Sequence, residues 1–205
     1  MHDRYTASGQ QVETQPGSAG KVLRNLQGIR DVAAMAEVEL FLLEDLYRLV
    51  FETSFPERQL TVADLQNWHY RWLGNVYPWA GEERSVNMGK GGFQFAAAAR
   101  IPRLLQQWQK DCLDRFTPAH GLSGQVLVRA LAVTHVELIL IHPFREGNGR
   151  ISRLLADVMA VQAGCNLLDY SSWDERKAYY FSAIQRGLER DYQPMMQLMA
   201  SALRH

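Results

Sequence analysis

Twelve residues, His142 to Arg153, read H-P-F-R-E-G-N-G-R-I-S-R and gather the residue types that phosphate chemistry needs. Gly147 and Gly149 let a main chain approach an anion closely, where a Cβ would intrude. Asn148 adds a side-chain amide donor to the same anion. Glu146 is a hard oxygen ligand, suited to one position on a Mg2+ that keeps most of its waters and bridges phosphate oxygens. Arg150 and Arg153 are planar fork donors for the remaining phosphate charge. His142 is a side chain that can be neutral near pH 7 and take a proton from an attacking hydroxyl. Such a set performs phosphoryl or nucleotidyl transfer by positioning and charge neutralisation, without a protein nucleophile. A lone histidine at a helix end more often just meets terminal carbonyls. It is the company of Glu146, Gly-Asn-Gly and two arginines that gives His142 a catalytic reading. Zinc is disfavoured, because no third His, Cys or Asp ligand stands nearby at suitable spacing.

The elements that must hold this stretch are legible on both sides. A long apolar run, Val126 to Ile141, precedes it, and Ile151, Leu154, Leu155, Val158 and Met159 follow at i, i+3, i+4, i+7 and i+8. The stretch is therefore a tight loop between two core helices, and Gly-Asn-Gly opens the second. The N-terminus of a helix carries unpaired N–H groups and partial positive charge, which suits it to an anion.

Other helices are expected over Val32–Phe51, with Phe41, Leu42, Leu46, Leu49 and Val50 inward, and from Thr61 as N-cap to about Leu73. His69 on that second helix reads as a packed or hydrogen-bonded histidine, and His135 and Glu137 as satisfied core groups. Helical spacing returns from Ala97 to about Phe116, and Asp174 to about Leu203 reads as two helices split near Asp191–Pro194. Between them, Tyr77-Pro78-Trp79-Ala80-Gly81-Glu82 is an aromatic turn. Val86-Asn87-Met88-Gly89-Lys90-Gly91-Gly92-Phe93 and the residues to Phe95 fit a small β-hairpin, the one sheet expected. The fold class is all-α with that hairpin. Residues 1–20 are polar and expected to be a disordered tail, with one domain over 21–205.

Composition narrows the partners. Basic and acidic residues balance at 22 each, which disfavours general nucleic-acid binding. The two cysteines, Cys112 and Cys165, form no C-x-x-C and read as free thiols. Arg129, His135 and Glu137 interrupt the longest apolar run, so no charge-free membrane span is expected. The N-terminus lacks a secretory layout. A cytoplasmic location is expected, with no membrane and no direct nucleic-acid partner.

The loop matches every fixed place of H-x-F-x-D/E-G-N-G-R-x-x-R and so resembles the Fic family motif, with eight fixed places agreeing in twelve. The aromatic turn and the hairpin look like that family's pre-flap segment and target-docking flap, and the resemblance covers about Leu23 to Leu198. It implies a Fic fold, a helical bundle around a central helix-loop-helix with one hairpin flap. The activity implied is transfer of AMP from ATP to a Tyr, Ser or Thr hydroxyl of a target protein.

By the same resemblance Gly147, Asn148 and Gly149 hold the phosphates and Glu146 holds Mg2+. Arg150 stabilises the leaving pyrophosphate, Arg153 takes the γ-phosphate, and His142 is the base. The flap, Val86 to Phe93, would pin the target by strand-like pairing. The inhibitory pattern S/T-x-x-x-E-G/N of many relatives is not found, so the chain resembles Fic toxins silenced by a separate small antitoxin carrying that helix. Toxins of this type act on DNA gyrase and topoisomerase IV ATPase subunits. The alternatives are a Doc-like phosphotransferase and an inactive nucleotide- or protein-binding module.

Overall fold

The structure, a computed structural model, describes residues 6–8 and 13–203, the first three as main chain only. It divides into two compact units, Met1–Phe55 with Ala63–Pro102 and Pro143–Gly147, and Pro56–Val62 with Arg103–His142 and Asn148–His205. The described elements are helical apart from one small sheet, so the all-α expectation holds.

In the first unit, α1 (Val32–Arg48) starts where Asp31 caps it, its carboxylate accepting from Ala34 N at 2.9 Å. A π turn, Leu49–Thr53, ends it. α2 (Val62–Leu73) begins directly after Thr61 and buries Leu65, Trp68, His69, Trp72 and Leu73. The inward face of α1 differs from expectation. Met35, Glu39 and Leu46 are buried, with Val50 in the π turn, whereas Phe41 is 59% exposed and Leu42 and Leu49 are half-buried. The cause is Glu39. Its main-chain oxygen accepts from Trp72 Nε1 and its carboxylate from Tyr77 Oη, each at 2.8 Å. With Glu39 turned inward, Phe41 lies about 200° further round the helix and must face out.

The sheet is one strand wider than expected. β2 (Asn87–Lys90) and β3 (Phe93–Gln94) form the hairpin, with Gly89 opposite Gln94 and Lys90 opposite Phe93. Gly91 and Gly92 take φ of 57° and 81°, the left-handed pair that a two-residue turn demands. β1 (Thr6–Ser8) then pairs antiparallel with β2, Thr6 opposite Gly89 and Ser8 opposite Asn87. Residues 13–24 also fold back on themselves, Gln15 N donating to Val22 O at 2.8 Å and Arg24 N to Glu13 O at 3.0 Å. The expected tail to residue 20 is corrected for 6–8 and 13–20, and the rest of it lies outside the described residues. Main-chain pairing orders a segment that has little apolar surface of its own.

In the second unit, α3 (Ile101–Trp108, its first two residues in the first unit) runs through a π turn, Gln109–Leu113, into α4 (Asp114–Phe116). α5 (Gly124–Ile141) is central, packing on α6 (Asn148–Gln162), on α8 (Lys177–Arg186) and on α9 (Gln193–Ala202). A short α7 (Ser171–Glu175) precedes α8. Among the described helices α5 alone is long and apolar enough to cross a membrane, yet 67% of it is buried inside the fold, as a core helix is. The expected stripe of α6 is fully inside, Ile151 to Met159 at 1% exposure or less. Its polar residues Asp157 and Gln162 are buried too, and each is satisfied. Asp157 accepts from Leu168 N and Tyr170 Oη, and Gln162 donates to Pro56 O and Arg58 O.

Candidate active site

His142 ends α5 in the left-handed conformation, φ 54°, with its N–H returned to Leu138 O at 2.9 Å. It is 2% exposed. Its Nδ1 lies 3.2 Å from Ile139 O, to which a ring nitrogen can only donate. The proton is then on Nδ1, and Nε2 is the basic nitrogen. In the same unit α6 begins at Asn148, so the N–H groups of its first turn have no carbonyl within the helix to bond. Asn148 is buried, while Gly149 and Arg150 are half-exposed. A Cβ on Gly149 would meet nothing within 4 Å.

Arg153, one turn on, is 27% exposed in its side chain. It pairs with Asp174 at 3.5 Å, and its Cζ stands 5.0 Å from the Tyr170 ring centre and 5.6 Å from that of Trp173. Its direction is therefore set by two aromatic faces and one carboxylate.

The loop Pro143–Gly147 belongs to the first unit and is tied to it at several atoms. Phe144, 2% exposed, stacks on His69 with ring centres 4.0 Å apart and planes 9° apart. Pro143 O accepts from Arg84 N at 2.7 Å, and Glu146 O from His69 Nε2 at 3.0 Å. Glu146 is half-exposed, and its carboxylate accepts from Gly147 N at 2.9 Å. Gly147 takes φ +80°, and a Cβ there would fall 2.4 Å from Trp72 Cζ3. The sequence reading gave Gly147 only to an anion; packing against Trp72 requires glycine as well. Among the described residues no three His, Cys, Asp or Glu side chains converge on a cation.

This arrangement has counterparts among known proteins. Residues 59–160 match the Fic/DOC family. The chain is 28% identical to the probable protein adenylyltransferase y4lH of Sinorhizobium fredii, over 85% of this chain and 87% of that protein. It is 32% identical to the protein adenylyltransferase VbhT of Bartonella schoenbuchensis over 75% of its own length. It spans only 31% of VbhT and 27% of the Drosophila ananassae protein adenylyltransferase Fic. The chain belongs to the Fic/DOC family. The solved structure of BepC from Bartonella tribocorum, which holds AMPPNP, superposes with a TM-score of 0.72 at 25% identity, over 88% of this chain and 91% of that one. The Fic domain of Bep8 from Bartonella sp. 1-1C shares the fold, with a TM-score of 0.76 at 22% identity over 89% and 90%.

In this Fic chain the motif residues divide by unit. His142, Asn148, Gly149, Arg150 and Arg153 stand in the second, and Glu146, Gly147 and the flap in the first. The flap differs from a plain hairpin. Val86 and Met88 are buried, and β1 makes β2 the central strand, so β3 is the sheet's other outer strand. Two supporting residues carry no signal in a motif search. Arg84, 2% exposed, spans the neck of the hairpin by donating to Val86 O and Ala96 O. Burial, with Arg145 nearby, pushes its pKa down to about 10, so it stays charged at neutral pH. His69 is the other, read from the sequence as a packed or hydrogen-bonded histidine and found here against Glu146 O.

Proposed function

We propose that this Fic domain is a protein adenylyltransferase that moves AMP from ATP to a protein hydroxyl. The observation that supports it best is His142, held by Ile139 O in the tautomer that leaves Nε2 basic, at the end of the helix that packs on α6. Its relatives named as protein adenylyltransferases, and the bound AMPPNP of BepC, support the same reading.

In that reaction the N–H groups of Gly147, Asn148 and Gly149 hold phosphate oxygens, and Arg150 and Arg153 neutralise the β- and γ-phosphate charge. His142 Nε2 takes the proton of the target hydroxyl as its oxygen attacks the α-phosphorus. The P–O bond to the β-phosphate breaks, and pyrophosphate leaves. Glu146, half-exposed, would supply one carboxylate to a Mg2+ that would take its other ligands from phosphate oxygens and water. When bound, it neutralises phosphate charge. The flap pairs with an extended target segment through main chain. The motif resemblance further supports a toxin reading, with a separate antitoxin supplying an S/T-x-x-x-E-G/N helix and type II topoisomerase ATPase subunits as the target class.

The test is label transfer to protein in a cell lysate with Mg2+, using ATP labelled at the α- or the γ-phosphate. The wild type transfers α-label and no γ-label, and His142→Ala lowers the yield by about 100-fold or more. Transfer of γ-label would replace this reading by a Doc-like phosphotransferase. Equal α-labelling by both proteins would remove His142 as the base, and none by either would favour a binding module.

A further inference from the structure

The main-chain groups of a buried irregular loop need partners, and in Pro143–Gly147 two carbonyls are held by residues outside the loop. One partner is the main chain of Arg84. The other is a side chain, His69, fully buried and 77 residues before its acceptor Glu146. Both nitrogens of His69 are committed. Nδ1 accepts from Gly81 N at 2.7 Å, so it carries no proton, and Nε2–H donates to Glu146 O at 3.0 Å. These two bonds select a single neutral tautomer. The stack on Phe144 fixes the ring plane.

We propose that His69 is a positioning residue of the transfer reaction, setting the Glu146–Gly147 turn and through it the direction of the Glu146 carboxylate. The carbonyl that His69 holds, the N–H of the following Gly147 and the carboxylate that accepts this N–H belong to one turn. Trp72 packs where a Gly147 side chain would stand, so the turn has little room to shift on that side. His69 therefore ties α2 and the Gly81 turn to the one carboxylate of the loop. The inference rests on the reading that Glu146 holds the cation.

The experiment separates the two bonds of the ring. In His69→Asn the amide oxygen stands near the place of Nδ1, keeping the Gly81 bond and losing the Glu146 bond. In His69→Gln an amide N–H reaches the place of Nε2–H, restoring the Glu146 bond. The Mg2+ concentration that half-saturates ATP binding, read by calorimetry, rises about tenfold in the Asn variant and stays within about threefold of wild type in the Gln variant. Affinity for ATP without Mg2+ is unchanged in both. Equal behaviour of the two variants, or an equal loss of metal-free ATP affinity, overturns the proposal.

Glu146→Gln is measured beside them. If it leaves the Mg2+ requirement unchanged, the cation reading fails. The role of His69 is then decided by hydrogen exchange at the Gly147 amide, faster in His69→Asn and restored in His69→Gln. If neither variant folds, nitrogen NMR of the wild-type ring decides, and a proton on Nδ1 overturns the proposal.

Discussion

Arg153 stands over the rings of Tyr170 and Trp173 with Asp174 at its edge, so its charge is both packed and available. A pair of ring contacts contributes about 0.5–1 kcal/mol each, and the half-open ion pair adds little. Arg153→Ala is therefore expected to cost about 1–2 kcal/mol of stability, within reach of a urea titration. Under the proposed function its larger effect is expected on the terminal phosphate. Affinity for ATP falls about tenfold, while affinity for ADP changes less than about twofold. Equal losses for both nucleotides would place Arg153 elsewhere than on the γ-phosphate.

At the scale of elements, the flap and the motif loop share one connection. Arg84 closes the hairpin neck with its guanidinium while its own N–H holds Pro143 O. Lysine has one point charge and cannot bridge two carbonyls in a plane. Arg84→Lys is expected to speed amide exchange through β2 and β3 by about tenfold, as one buried hydrogen bond is lost. Exchange in the middle of α1 stays as in wild type. Uniform acceleration in both places would make Arg84 a general stabiliser rather than a clasp on the hairpin. β1 bears on the same element. Its pairing with Asn87–Gly89 fills that side of β2, so in the docking mode proposed above a target strand would have to displace β1 or pair with β3.

For the molecule as a whole, His135 links folding to pH. Burial above all, with Arg153 adding to it and the bond to Ser152 O opposing, puts its pKa at about 3. Its Nε2 lies 2.8 Å from Tyr180 Oη. Above the unfolded value of about 6.5, both states hold the ring neutral and nothing is lost. As pH falls from about 6.5 towards 3, the unfolded chain takes a proton that the folded one refuses. Stability then drops by up to about 1.4 kcal/mol per pH unit. Urea midpoints between pH 8 and pH 5 check this: the wild type declines more steeply than His135→Gln. Parallel declines would mean that other groups set the acid limit.

The sequence by itself determined the motif loop, its flanking helices and the hairpin turn, because these depend on residue types and short-range spacing. His142, Glu146, Asn148 and Arg153 are singled out by residue type and spacing for that reason, and the stripe from Ile151 to Met159 proved buried. Tertiary structure alone decided that Glu39 points in and Phe41 out, that Thr6–Ser8 joins the sheet, and that His69 holds Glu146. Each of these involves a hydrogen bond to main chain from a residue far along the sequence, joined at Glu39 by one from Tyr77 Oη to its carboxylate. A carbonyl or N–H is the same at every residue, so its choice of distant partner leaves no periodic trace in side-chain types.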